Sequence, residues 1–371
     1  MQLAANQLHA HLQNGLRSLY TLYGDEPLLI QEAADAIRAA ARAQGFTERS
    51  SHTVSGAHFD WSEVQAAGGS LSLFADKQIL EVRIPSGKPG KDGSAAIQQL
   101  AQAAQGNDST LTIFILPRLD KLTKTGAWFG ALESFGMTLQ VEPVERNALP
   151  QWIAQRLQLQ GQRVNSGESG QRTLQFFADR VEGNLLAAHQ EIQKLALLHP
   201  SGELTFEHVE AAVFNVARYD VFKLSEAVLG GHRVRVQRML DGLQAEGEAE
   251  VLVHWALSED IRALKRVKDA MGRGSPLPMA LREQRVWGAK ERLFERVLPG
   301  LTDLAMLDLL KAAHQVDGIV KGLKQPDWPA NGWQALHRLA MQLCEVCVQQ
   351  ISVIRKDPVA HHAVVYACGS A

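Results

Sequence analysis

Thr110-Leu111-Thr112-Ile113-Phe114-Ile115-Leu116-Pro117 decides the fold of the first part of this chain. A short, almost continuous apolar run closed by a proline is the signature of a strand buried on both faces, as central strands of parallel sheets are. Such a strand needs crossover helices before and after it. On its N-terminal side, Ser18–Tyr23 and Gln78–Ile84 read as strands and Ser51–Val54 as a weak one; beyond it, Thr138–Val141 reads as the fifth. Helical spacing of apolar residues marks Pro27–Gln44, Trp61–Ala67, Ala95–Gln105 and Thr125–Phe135 between them. Pro27 suits a first helical turn, and Asp25-Glu26 its positive end. The alternation predicts a three-layer α/β domain over residues 1–142 with a mostly parallel five-stranded sheet.

From Pro143 the strand signal stops. Residues 143–214 read as a small helical domain, and residues 215–350 as a separate all-α domain. Its helices are expected near 221–229, 232–245, 249–272, 278–283, 287–297, 302–323 and 330–355, and 351–371 as a loose tail. The 371 residues suffice for three domains with real cores. A formal net charge of -2 excludes a global field that would draw the chain onto nucleic acid or anionic lipid. No run approaches the length of a membrane span. Three cysteines, all near the C-terminus, provide no disulfide framework, so the expected compartment is the cytosol.

A parallel sheet whose first strand ends in Gly24 invites a test for a phosphate loop. Such a loop needs a glycine-rich turn, a lysine and a hydroxyl for magnesium. Tyr23-Gly24-Asp25-Glu26-Pro27-Leu28-Leu29 has one glycine, two carboxylates, no lysine and no hydroxyl. The metal-holding acid expected after the apolar central strand is replaced by Pro117-Arg118. Gly87-Lys88-Pro89-Gly90-Lys91-Asp92-Gly93-Ser94 has glycine-lysine pairs at the wrong spacing after the wrong strand, and reads as a flexible, solvated loop. Cys344-Glu345-Val346-Cys347 lies inside a helix and reads as buried small apolar residues. No Ser/His/Asp or Cys/His arrangement stands out among the 13 histidines. Neither catalytic, cofactor-binding nor metal-binding residues are expected.

Two stretches do suggest binding. Ser70-Leu71-Ser72-Leu73-Phe74-Ala75 places an apolar Leu-Phe tip in a short connection, after the hinge Ala66-Ala67-Gly68-Gly69. Connections normally face water, so Leu71, Ser72, Leu73 and Phe74 are read as kept for a partner. The segment from Arg262 to Arg296 carries ten Lys/Arg against four Asp/Glu. Arg282, Arg285, Trp287 and Lys290 within it are candidate DNA contacts: a base can stack on tryptophan while cations hold phosphates. For Trp287 itself, the favoured reading is a core residue on a helix whose polar face is basic.

Several blocks resemble one family. Leu22-Tyr23-Gly24-Asp25-Glu26-Pro27-Leu28-Leu29, Ser72-Leu73-Phe74-Ala75, Leu149-Pro150-x-Trp152-Ile153, Glu182-Gly183-Asn184-Leu185-Leu186-Ala187-Ala188 and Ala217-Arg218-Tyr219-Asp220-Val221-Phe222 are similar to the delta-subunit family of bacterial DNA polymerase III. The resemblance implies an AAA+-like α/β domain, a helical lid and a helical collar in a clamp-loader subunit. It implies that Leu73 and Phe74 enter a hydrophobic pocket of the ring-shaped sliding clamp, the beta subunit, and help open it for loading on primed DNA. It implies a hetero-oligomer with gamma/tau and delta-prime subunits, in which ATP is bound by the partners and not by this chain. The lid arginine of ATP-hydrolysing relatives falls here at about Leu186. On this reading the chain has no catalytic site of its own within a DNA-directed DNA polymerase holoenzyme, and works in the bacterial cytoplasm at the nucleoid-associated replisome. The alternatives are an active AAA+ ATPase subunit of the same loader, or a helical DNA-binding scaffold.

Overall fold

The computed structural model describes residues 1–56, 59–69, 76–214 and 217–356. The strands are β1 (Gln2–Leu3), β2 (Leu19–Gly24), β3 (Glu48–Thr53), β4 (Gln78–Arg83), β5 (Thr110–Pro117), β6 (Met137–Val141), β7 (Gln162–Val164) and β8 (Gly202–Leu204). The helices of the first half are α1 (Leu8–Gln13), α2 (Pro27–Ala43), α3 (Trp61–Gly69), α4 (Gly90–Ala103), α5 (Lys121–Lys124), α6 (Ala127–Phe135), α7 (Leu149–Leu159), α8 (Glu168–Val181), α9 (Leu185–Leu198) and α10 (Phe206–Ala212). Those of the second are α11 (Val221–Leu229), α12 (Arg233–Ala245), α13 (Glu250–Gly272), α14 (Leu277–Glu283), α15 (Ala289–Val297), α16 (Asp303–Val320) and α17 (Gly332–Lys356). The chain divides into two compact units, Met1–Ala178 with Leu185–Phe214, and Asp179–Asn184 with Asn215–Ala371.

In the first unit, β5 is central and buried on both faces, as its apolar run requires. The sheet has six strands rather than five, all parallel, in the order β1-β6-β2-β5-β4-β3. The extra strand is Gln2–Leu3, which pairs with Thr138 and Leu139; two residues carry no legible period. Side chains alternate across the sheet. Leu19, Tyr23, Leu80, Val82, Phe114 and Leu116 pack on one face with Val64, Ile97 and Phe129 of α3, α4 and α6. Tyr20, Leu22, Ile79, Leu111, Ile113 and Leu139 pack on the other with Ile30, Ala34 and Ile37 of α2. The segment beyond β6 is not purely helical: β7 and β8 form a two-stranded parallel pair. The glycine-lysine stretch is not a loop throughout, because α4 already begins at Gly90 and buries Gly93.

One charge sits deep in this unit. The Glu81 side chain on β4 is fully buried, and Arg38 of α2 pairs with it at 2.9 Å with only 4% of its own side chain exposed. Arg49 of β3 and Arg83 of β4, both partly solvated, add contacts at 2.7 and 3.1 Å. Asp35 takes the other side of Arg38.

The second unit has one helical core, with Leu224, Leu240, Leu257, Leu264, Val316 and Leu339 fully enclosed. Cys344 and Cys347 belong to it, and burial pushes their thiols up to about 11 and about 12, which keeps them protonated at neutral pH. The helix α17 runs to Lys356, so residues 351–356, assigned to a loose tail from sequence, are helical; residues 357–371 lie outside the described ones.

The block Glu182-Gly183-Asn184 acquires a structural reason within this unit. Gly183 has φ 75°, and a Cβ there would lie 2.1 Å from the carbonyl oxygen of Arg218. The Arg218 amide donates to the Glu182 carbonyl at 2.9 Å. Arg235 pairs with the Glu182 carboxylate, and Arg238 with Asp179 at 2.7 Å.

Candidate functional site

The parallel register of β2 with β5 sets Gly24 opposite Pro117, so the two turns that a nucleotide site would use leave the sheet side by side. Ligands of open α/β sheets bind at such carboxyl ends. Here the chain's own side chains meet at the strand ends. Glu26 caps α2, its Oε1 accepting the Leu28 N–H at 3.4 Å where a phosphate oxygen would have to sit. Burial raises the Glu26 carboxyl above the usual carboxylate range, while the Leu28 bond opposes that rise. Arg118, at the place of a metal-holding acid, donates to Asp25 at 3.1 Å. Gly24 is required by the sheet: a Cβ there would lie 1.8 Å from the Val141 carbonyl oxygen, because β2 and β6 close tightly at their ends. Gly24→Ala is therefore expected to part that end of the ladder and cost about 2 kcal/mol. A urea titration checks this by a lower midpoint at unchanged slope. Leu186, the position of the missing lid arginine, is 51% exposed on α9.

Leu71, Ser72, Leu73 and Phe74 lie outside the described residues. The structure places their anchors: α3 ends at Gly69 and β4 begins at Gln78, a strand inside the sheet between β3 and β5.

The basic segment of the second unit departs from expectation in two ways. Trp287 is not a core residue; it is 60% exposed. It also precedes α15 rather than opening it. Arg285 with φ 56° and Gly288 with φ 67° both take left-handed backbone, which ends α14 and delays the next helix. Between them Val286 is buried and anchors the turn, so Trp287 and Arg285 project outward together. Arg282 is likewise exposed. Lys290 differs: its ammonium pairs with Asp260, whose side chain is fully buried, and so much of its charge is directed inward. Burial raises the Asp260 carboxyl, and the Lys290 charge acts against that rise.

A Ser/His/Asp grouping that sequence reading missed is present in the same unit. His254 Nε2 lies 2.8 Å from Ser258 Oγ, and Nδ1 lies 3.6 Å from Asp317 Oδ1. His254 and Ser258 are one helical turn apart on α13, but Asp317 comes from α16, and no local spacing connects it to them. Nε2 also lies 2.9 Å from the Ala313 carbonyl, which can only accept, so Nε2 carries the proton and has no lone pair for the serine. It is a packing contact between α13 and α16, not a general base. Burial lowers the His254 pKa below its ordinary 6.5, with the Ala313 bond and Asp317 opposing. The folded chain thus binds fewer protons here than the unfolded one. This contribution to stability is whole above about pH 6.5 and is lost as pH falls below it. His254→Gln is expected to flatten the pH dependence of unfolding free energy between about pH 5 and 7, read by urea titrations at stepped pH.

The family model described as "DNA polymerase III, delta subunit" matches residues 20–142, which span β2 to β6. Over 346 residues the chain is 31% identical to DNA polymerase III subunit delta of Escherichia coli, covering 93% of this chain and 96% of that protein. The chain belongs to the DNA polymerase III delta-subunit family. A second member of the delta family, from Haemophilus influenzae, is 26% identical over 353 residues, 91% of this chain and 98% of that one. Among solved structures, a Bacillus subtilis DNA clamp loader delta protein aligns at TM-score 0.49 and 15% identity, over 92% of this chain and 99% of that chain. In this delta-family chain the described residues put Glu26 and the Asp25–Arg118 pair at the ends of β2 and β5 and leave Trp287 exposed. Among those residues, no helix is long and apolar enough to cross a membrane.

Proposed function

We propose that this delta-family chain is a clamp-loader subunit of the DNA polymerase III holoenzyme that binds the sliding clamp and favours its open state. The observation that carries the reading is membership of the delta family together with a nucleotide position filled by Glu26 and the Asp25–Arg118 pair. An AAA+-like domain that cannot hold a triphosphate serves as a mount. What it mounts is the Leu71-Ser72-Leu73-Phe74 connection, with Leu73 and Phe74 entering a hydrophobic pocket of the clamp. Differential affinity for the open ring does the work of opening. ATP is bound by the gamma/tau and delta-prime partners, to which the helical domain from residue 215 docks as a collar, with residues 143–214 as the lid. The exposed turn with Arg282, Arg285 and Trp287 meets primed DNA in the assembly, with Lys290 behind it. The setting is the bacterial cytoplasm.

Gel filtration of the chain with its cognate clamp tests the first step: co-elution is expected without ATP. If the two elute apart, the proposal fails. An active ATPase subunit is separated by equilibrium binding of labelled ATP to the isolated chain, where two carboxylates and no lysine predict no saturable binding.

A further inference from the structure

Trp287 is not the only solvated aromatic of the second unit. Phe222 on α11 and Trp255 on α13 are 59% and 49% exposed, and their rings meet edge to face with centroids 6.3 Å apart. Two adjoining solvated rings form a contiguous apolar patch, and such patches mark interaction sites where scattered apolar residues do not. Helical spacing puts Val251, Leu252, Trp255, Glu259, Arg262 and Arg266 on one face of α13, and all are solvated at least in part.

That face has a direction. Its N-terminal end is aromatic and its C-terminal half is cationic. Arg262 Nε donates to Glu259 at 3.2 Å and Arg266 to the same carboxylate at 2.6 Å, so one negative charge serves two guanidinium groups. Arg266 Nε also donates to Gln284 Oε1 at 2.7 Å, which joins the face to the turn carrying Arg285 and Trp287. From Trp255 to Arg266 the helix advances roughly 16 Å, several nucleotides of an extended strand. Trp255 and Trp287 thus stand at opposite ends of a track with arginines between them.

We infer that the outer face of α13 is a second stacking site for single-stranded nucleic acid, with Trp255 and Phe222 as the platform and Arg262 and Arg266 holding phosphates on the way to Trp287. The inference rests on the reading of Trp287 as a nucleic-acid contact. The occupant follows from charge: aromatic platforms at both ends and surplus cations between them match a flexible polyanion whose every unit has a π face. A duplex keeps its bases stacked and would leave both tryptophans unused. The track ends in two separated platforms, so affinity should grow with strand length until both are engaged.

Fluorescence anisotropy of the full chain with labelled oligothymidines, one too short to bridge the track and one long enough, tests this. Wild type is expected to bind the long strand more tightly than the short one. Trp255→Ala should weaken the long strand about ten-fold and remove most of the length dependence. Trp255→Phe should restore much of both, and circular dichroism and the thermal midpoint should match wild type for each variant. Arg262→Ala should lower the salt slope by about one. If Trp287→Ala weakens binding but Trp255→Ala does not, the second site is refuted while the Trp287 contact stands. If neither variant changes affinity, or wild type binds neither strand, the nucleic-acid reading of the unit falls as well. If Trp255→Ala leaves affinity intact but abolishes self-association in sedimentation, the face belongs to a protein contact and the inference is overturned.

Discussion

Leu73→Ala combined with Phe74→Ala is expected to weaken clamp binding by at least ~3 kcal/mol, a loss of two decades or more in affinity. Fully burying each side chain is worth about 1.5–3 kcal/mol, and central aromatic anchors commonly dominate an interface. The connection that carries them runs from Gly69 at the end of α3 to Gln78 at the start of β4. Gln78 is held in place: its side-chain amide donates to the Ala67 carbonyl at 2.7 Å and its backbone amide to Ser109 at 2.8 Å. Isothermal calorimetry with the cognate clamp measures the effect, beside each single variant. The coupling between them is expected to be favourable, because the two anchors would share one pocket. Wild-type affinity in the double variant would remove the tip from the mechanism.

The largest expected effect on stability comes from Glu81→Ala, at about 3–5 kcal/mol. Removing that carboxylate takes the partner from Arg38, whose guanidinium is enclosed, and leaves Arg49 and Arg83 facing each other without a counter-charge. Asp35 is mostly solvated and compensates Arg38 only in part. Arg49→Ala, by contrast, removes a partner that is 40% exposed and should cost under about 1 kcal/mol. Urea unfolding of both variants reads the difference. Equal costs would mean that the cluster is screened like a surface pair. Because β4 also anchors the Leu-Phe connection, Glu81→Ala should weaken clamp binding only in so far as it unfolds the first unit, and binding by the folded fraction should stay normal.

How much was legible in the sequence differs between the parts. The run Leu111–Leu116 was readable from its length and its ends: it is too short for a buried helix, it is rich in β-branched and aromatic residues, and Pro117 closes it. That the turn after Gly24 departs from a phosphate loop was readable from residue types alone: it has no lysine, and no acid directly follows Leu116. That Arg118 pairs with Asp25 was not readable. It depends on Gly24 and Pro117 being neighbours in the sheet though more than ninety residues apart. Trp287 was misplaced for a local reason. Arg285 adopts left-handed backbone, which no propensity assigns to arginine, and this swings the tryptophan out of the core. The Ser258–His254–Asp317 contact was missed because Asp317 reaches it only through packing of α16 on α13.

The sequence by itself determined the α/β-then-helical order of the chain and the residue types that stand at the turn after Gly24. These depend on residue type and short-range spacing, which act before any fold exists. Only the tertiary structure decided which charges are spent and which remain available. Glu81, Arg38 and Lys290 look like any other charged residues in sequence, yet each is paired with a buried partner, whereas Arg262 and Arg266 share the single Glu259 carboxylate at the solvated surface. The worth of a charge is set by its burial and its partner, and both are properties of the packed chain.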